Sequence, residues 1–286
     1  MPSILQSPES PSRSILRLIS TAGLALLTVS ALPSVYSASP GAPASGEVAA
    51  EQLPPDLQQA LQLPAGPDQT KAVVAAARAW GEKDAKGFLA WAIALPAPLS
   101  GPVQQSVSVC GKSPDVKAAA DWLILQDSPK VTMMLHGLTL GWSLENMAAA
   151  QAWCLQLQTT RDNRYVAVFT VADALCRKGA PSATAWTESL TAPLDRKAAL
   201  DGTVTIWIRG DFAAMTTWVK QLNPADLKWA ALVAARNWRP KPDLTLATWL
   251  DQLPLSGADK ADVLKAPPYP DSYHISKYLP EPAAGK

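Results

Sequence analysis

The sequence predicts an all-α chain, an α-solenoid of about six antiparallel helical hairpins, on three observations. Tryptophan recurs at a nearly fixed spacing, residues suited to cap helices stand at a fixed distance before it, and proline and glycine punctuate the stretches between. The 286 residues include 11 Trp against 3 Phe and 5 Tyr, and 26 Pro, well above the roughly 5% proline that is ordinary. A content of 48% hydrophobic and 17% charged residues is enough to bury a core over this length and unlike a disordered protein. The balance of 25 basic against 24 acidic side chains argues against a nucleic-acid binder. Low glycine and scarce β-branched runs argue against a sandwich or barrel.

Residues 1–37 read as a secretory signal peptide. Arg13 and Arg17 precede an apolar run from Leu18 to Leu32, Pro33 breaks it, and Val35-Tyr36-Ser37 supplies a cleavage site. The run, about 15 residues, is short of the roughly 20 that a permanent spanning helix needs. Cleavage after Ser37 leaves 23 basic and 23 acidic groups, a neutral chain with no electrostatic footprint for phosphate backbones or acidic lipid. The expected product lies in the periplasm or outside the cell, with no stable membrane insertion. Residues 38–50, rich in Pro, Ala, Gly and Ser, are expected to be a disordered lead. Residues 51–64 are expected to cap the repeat domain, which spans 51–265, and residues 266–286 form a C-terminal tail or cap.

Within the repeat domain, Trp91, Trp122, Trp153, Trp186, Trp218 and Trp249 follow one another at steps of 31, 31, 33, 32 and 31 residues. Such a period marks a repeat architecture. Trp80, Trp142, Trp207 and Trp238 each stand 11 residues before a member of this ladder. Four residues after it stand Leu95, Leu157, Leu190, Leu222 and Leu253, with Gln126 departing and Leu125 beside it. Seven residues before it stand Asp84, Asp115, Asn146, Gly179, Asp211 and Pro242. Asp and Asn there predict N-caps, because a short side-chain oxygen accepts from the unpaired amides of a first turn. Each unit therefore starts a helix about six residues before its ladder Trp and ends it near the Leu. A first helix precedes it, opened by turns such as Asn223-Pro224 and closed by breakers such as Arg209-Gly210-Asp211. A Trp pair 11 apart also fits one face of a single long helix, but the intervening Pro and Gly favour two.

The pattern W-x10-W-x3-L with an Asp cap resembles tandem Trp-bearing helical repeats of exported bacterial proteins. More loosely it resembles the tetratricopeptide class of α-solenoids, over residues 66–265. It departs from tetratricopeptide repeats proper, whose period is 34 and whose W-x2-L-G-x2-Y opening is missing. The resemblance implies protein or peptide binding and brings no catalytic residues.

A Trp at one depth in every unit is first a packing device, because a hairpin of this size cannot bury its apolar face alone. A row of exposed indoles gripping sugar rings is the alternative, and the constant Leu one turn along the same face argues against it. Two units lack the earlier Trp; the slot falls near Gly111 and Leu175, with Cys110 and Cys176 beside it, which reads as core substitution. Three cysteines leave at least one free, and Cys154–Cys176 is the one pairing compatible with the spacing. Neither His136 nor His274 has metal or triad neighbours, and no phosphate loop exists. No cofactor and no metal are expected. Glu188-Ser189 resembles the acid pair of soluble lytic transglycosylases, but the surrounding signature is missing.

Three residues beyond the ladder Trp the units read Ala94, Leu125, Gln156, Ser189, Gln221 and Gln252. The last four form a polar column able to hydrogen-bond an extended peptide backbone, with Glu188, Lys220 and Asp251 alongside. A solvated helix face gives the same residues without a partner. The expectation is a non-catalytic secreted or periplasmic scaffold that binds a protein or peptide. The alternatives are a cell-wall or polysaccharide-associated enzyme or binding module with a site in the groove, and a structural spacer.

Overall fold

The computed structural model describes residues 53–96, 99–239 and 243–266. The expected signal peptide 1–37, the lead 38–50 and the tail from residue 267 lie outside the described residues. Within them all regular structure is helical, with fourteen α-helices and one 3₁₀ helix.

Helix α1 (Pro55–Leu61) falls in the segment expected to cap the domain, and it buries Leu57 and Ala60 beside α2 (Pro67–Gly81). There follow α3 (Ala85–Ala94), α4 (Ser100–Gln104), the 3₁₀ helix Val107–Lys112 and α5 (Val116–Leu123). Then come α6 (Val131–Glu145), α7 (Met147–Gln156), α8 (Arg161–Lys178) and α9 (Ala180–Ser189). The chain continues through α10 (Pro193–Trp207), α11 (Phe212–Val219), α12 (Pro224–Arg236), α13 (Leu246–Asp251) and α14 (Gly257–Leu264).

Helices α3, α5, α7, α9 and α11 each begin six residues before a ladder Trp, where the caps were expected. Asp84 accepts from the Gly87 amide at 2.8 Å, Asn146 from Ala149 at 3.1 Å and Asp211 from Ala214 at 2.9 Å. The backbone of Asn146 is non-helical (φ −142°, ψ 82°), so Trp142 and Trp153 belong to two helices rather than one. Asp115 departs from expectation. Its carboxylate leaves its own helix uncapped and accepts from the Ala85 and Lys86 amides of α3 at 3.0 and 3.1 Å. Because α3 and α5 lie side by side, one carboxylate satisfies the orphan donors of its neighbour's first turn. Pro242 lies outside the described residues, and α13 is capped instead by Thr245, which accepts from Thr248 at 3.1 Å.

The first half of the second unit also departs from expectation, with a short α4 and a 3₁₀ turn where a longer amphipathic helix was expected. The cause lies in α6, which packs main chain against main chain on the 3₁₀ helix. A Cβ on Gly111 would stand 2.1 Å from the Gly141 carbonyl carbon, and one on Gly141 would stand 1.8 Å from the Ser108 oxygen. The slot that holds Trp in other units is here filled by backbone, so no side chain fits.

All eleven tryptophans are buried or half-buried. Paired indoles meet with centroids 6.0 Å apart for Trp80–Trp91, 5.5 Å for Trp142–Trp153, 5.7 Å for Trp207–Trp218 and 5.6 Å for Trp238–Trp249. A fully buried indole removes about 150–250 Å² from water, an upper bound of roughly 4–6 kcal/mol each. The leucines at the fixed offset, Leu95, Leu157, Leu190 and Leu253, are buried as well. The first helices also pack on one another along the chain. The 3₁₀ helix meets α6, α6 meets α8, α8 meets α10, α10 meets α12, and α12 meets α14. Residues 165–175 of α8 and 198–204 of α10 are buried without a break. Their contact is close because a Cβ at Gly202 would lie 2.2 Å from the Phe169 carbonyl oxygen. No helix among the described residues is long and apolar enough to cross a membrane.

Candidate functional site

The column singled out in the sequence lies at the C-terminal ends of the second helices. Ala94, Gln156 and Ser189 are the last residues of α3, α7 and α9, whereas Leu125, Gln221 and Gln252 stand in the turns just after α5, α11 and α13. All six are exposed, Leu125 most of the apolar residues at 78%. The amides of Gln156, Gln221 and Gln252 make no hydrogen bond to another described side chain or backbone group, and Lys220 is exposed beside Gln221.

The other three residues of the expected surface are engaged within the fold. Glu188 is exposed, yet its carboxylate accepts from the Trp218 indole at 2.9 Å. Ser189 donates to the Trp186 carbonyl oxygen at 2.7 Å, and Asp251 pairs with Lys260 at 3.1 Å. The Glu188 contact has counterparts at other junctions. Trp153 donates to Asp121 at 2.8 Å and Trp249 to the Thr216 hydroxyl at 3.0 Å, in each case across about one period. Partial burial works against ionisation of Asp121, but hydrogen bonds from Lys117 and the Trp153 indole outweigh it and hold the carboxyl below the usual range.

The same edge is fixed by basic residues that sequence reasoning missed. Lys130 donates to the carbonyl oxygens of Ile93 and Leu95 at 2.8 and 2.6 Å. Arg164 donates to those of Leu157 and Leu155 at 2.9 and 3.2 Å, and makes a two-pronged ion pair with Asp195 at 2.7 Å. Arg196 repeats the arrangement on Glu188 and Thr187, at 2.9 and 3.2 Å, and pairs with Asp226. Lys228 pairs with Asp259 and Asp262 at 2.7 and 2.8 Å. Each guanidinium thus closes the orphan carbonyls of one helix end and grips the start of a later first helix. A signal for these staples was present: Arg164, Arg196 and Lys228 are followed by Asp195, Asp226 and Asp259 at 31, 30 and 31 residues.

The four carboxylates buried among the described residues are committed to such structural contacts. Asp173 is held by Arg177, Asp195 by Arg164, Asp226 by Arg196 and Asn223, and Asp201 by the Tyr165 phenol at 2.8 Å and Thr205 at 3.1 Å. The three cysteines are free thiols. Burial pushes Cys154 up to about 12 and Cys176 up to about 11, with Asp195 and Asp173 respectively adding to it, and burial raises Cys110 further. Trp229, the tryptophan outside both sets, donates to the Lys197 carbonyl oxygen at 3.1 Å and has the Lys197 ammonium 5.2 Å from its ring centroid. No group of three or more His, Cys, Asp or Glu among the described residues is arranged to hold a metal ion.

Comparison of the chain with protein-family models, with curated proteins and with solved structures finds no match in any of the three.

Proposed function

We propose that this chain is a non-catalytic, exported scaffold of about six antiparallel hairpins stacked as an α-solenoid, and that its second-helix edge binds an extended segment of a protein or peptide. The observation that carries the reading is the contrast along one register. Every tryptophan is buried or half-buried, while all six positions three residues beyond the ladder are exposed. Gln156, Gln221 and Gln252 offer both donors and acceptors there, which is what an extended backbone requires. Two arginine staples support the same reading, because Arg164 and Arg196 pin the helix ends that carry Gln156 and Ser189 and lower the entropy lost on binding there. The tetratricopeptide-like pattern of the sequence points in the same direction, and the basic, apolar, small order of residues 1–37 supports export. The alternative of a cell-wall enzyme or sugar-binding module needs a free carboxylate in a cleft or an exposed indole. The buried carboxylates are engaged in ion pairs and hydrogen bonds, and the indoles serve packing.

The test replaces Gln156, Gln221 and Gln252 together by Ala in the exported full chain. The helical circular dichroism and melting temperature are expected to stay unchanged, since all three side chains are exposed, while affinity capture of the native partner, identified with the unaltered protein, is lost. Capture at the level of the unaltered protein overturns the proposal.

A further inference from the structure

Burial along the ladder follows the indole partner. Trp91, Trp153, Trp218 and Trp249, each paired with an earlier Trp, are buried, whereas Trp122 and Trp186 are half-buried. These two stand in the units whose earlier slot falls near Gly111 and Leu175. Their N–H groups differ as well. Trp153, Trp218 and Trp249 donate to Asp121, Glu188 and Thr216 on the second helix of the preceding unit. Those acceptors stand one residue before, two after and two before the preceding ladder Trp. The same three places offer Trp122 only Ala90, Ile93 and Leu89, and offer Trp186 only Ala152, Leu155 and Gln151. Gln151 is the one polar side chain among them, and it makes no bond to the indole. Neither Nε1–H of the pair has a hydrogen-bond partner among the described residues. Neither is sealed in the interior, as the Thr139 and Ser143 hydroxyls are.

We infer that the strip across α5, α7 and α9, from Trp122 to Trp186, takes a proline-rich segment in the polyproline II conformation. The inference rests on the proposal that the second-helix edge binds an extended segment, and it names the class of that segment. The donors match first. An indole can only donate and a proline peptide unit can only accept, so a run of prolines brings no N–H for the strip to leave unpaired. Gln156, on the helix between the two indoles, adds an exposed amide without a partner of its own. The spacing matches next. Packed helices lie about 8–10 Å apart, and three residues of polyproline II rise about 9 Å. Each unit then meets the same edge of the ligand, whereas a β-strand turns its opposite face after three residues. Leu125, 78% exposed, and Leu155, 38% exposed, supply apolar surface for pyrrolidine rings. Oligoproline is already stiff when free, so binding orders little. A sugar ring instead needs an open indole face, and both of these rings are packed against the core.

The experiment titrates the full chain with an oligoproline of about twelve residues and follows the assigned indole N–H resonances by NMR. The Trp122 and Trp186 signals are expected to shift together, while those of Trp153 and Trp218, whose N–H groups are engaged, stay in place. Trp186→Phe removes one donor, and binding is expected to weaken about fivefold, the loss of one hydrogen bond. Leu155→Glu gives the same loss without touching the ring. Leu155 is exposed, and a glutamate there stands where Glu188 stands at the Trp218 junction, so it captures the Trp186 N–H within the chain. No shift of either indole at about 1 mM peptide, equal shifts at all indoles, or unchanged affinity in either folded variant overturns the inference. So does a chitin oligomer that moves the same two signals where oligoproline does not, since the strip then belongs to a polysaccharide. The two readings fail separately. Indoles unmoved by oligoproline, with partner capture still lost on replacing Gln156, Gln221 and Gln252, overturn this inference alone. Capture that survives that replacement overturns the edge reading, whatever oligoproline does.

Discussion

Gly141 leaves no room for a methyl group, since a Cβ there would stand 1.8 Å from the Ser108 carbonyl oxygen. Main chain cannot swing aside as a flexible side chain can. Gly141→Ala is therefore expected to cost about 3 kcal/mol or more, measured by urea unfolding. Arg196→Met is the complementary case. The methylene stem remains, but Asp226 loses its guanidinium and the Glu188 and Thr187 carbonyl oxygens lose their donor. A loss of about 3 kcal/mol is expected, with Asn223 still holding one side of the carboxylate. The thiols give a third expectation: Cys110 and Cys154, both buried, react with a thiol reagent at neutral pH only as fast as the protein opens. Rapid labelling of Cys110 or Cys154 in the native protein would contradict the burial described here.

Among the helices, those that carry a ladder Trp were the most legible in the sequence. A cap at a fixed offset and a Trp with a Leu one turn on are local signals, and five of the six helix starts follow from them. What the sequence hid depends on contacts between distant segments. Asp115 reads as the cap of its own helix until α3 is seen lying beside it. Gly111 reads as a degenerate Trp slot until the backbone of α6 is seen filling it. Glu188 reads as a solvated position until the Trp218 indole arrives from 30 residues away. The candidate column was legible as a register, but which of its neighbours were already engaged was not. The junction bonds are open to test through Asp121, whose carboxyl is held low by Lys117 and the Trp153 indole against the effect of burial. Its contribution is present above the ordinary aspartate value of 3.8 and is lost as the pH falls further. Asp121→Asn is expected to flatten that part of the acid-unfolding profile, and an unaltered profile would contradict it.

Across the whole described region, indole pairs recur from Trp80–Trp91 to Trp238–Trp249, and three staples cross the junctions from α8 to α14. Indoles 5.5 to 6.0 Å apart couple their transitions, so the native protein is expected to show an exciton couplet in the indole region of its circular dichroism. Trp153→Phe should remove one of four contributions and leave the helical signal in place. Because each staple spans about one period, loss of one helix end is transmitted to the next, and unfolding followed by indole fluorescence and by helical circular dichroism is expected to coincide. Separate transitions would show that the staples do not couple neighbouring units.

Asp195 and Arg196 are adjacent in the chain but face opposite ways along it: the first receives Arg164, and the second reaches Asp226. One stretch of residues thus bears both hook and eye of the same fastener. A duplicate of residues 193–223 spliced in after position 223 would meet Arg196 with its own aspartate and offer its own arginine to Asp226, at unchanged spacing. The gene can therefore lengthen by copying this segment without any residue outside it changing, a freedom that the glycine-bound contact between Gly111 and Gly141 denies to the second unit.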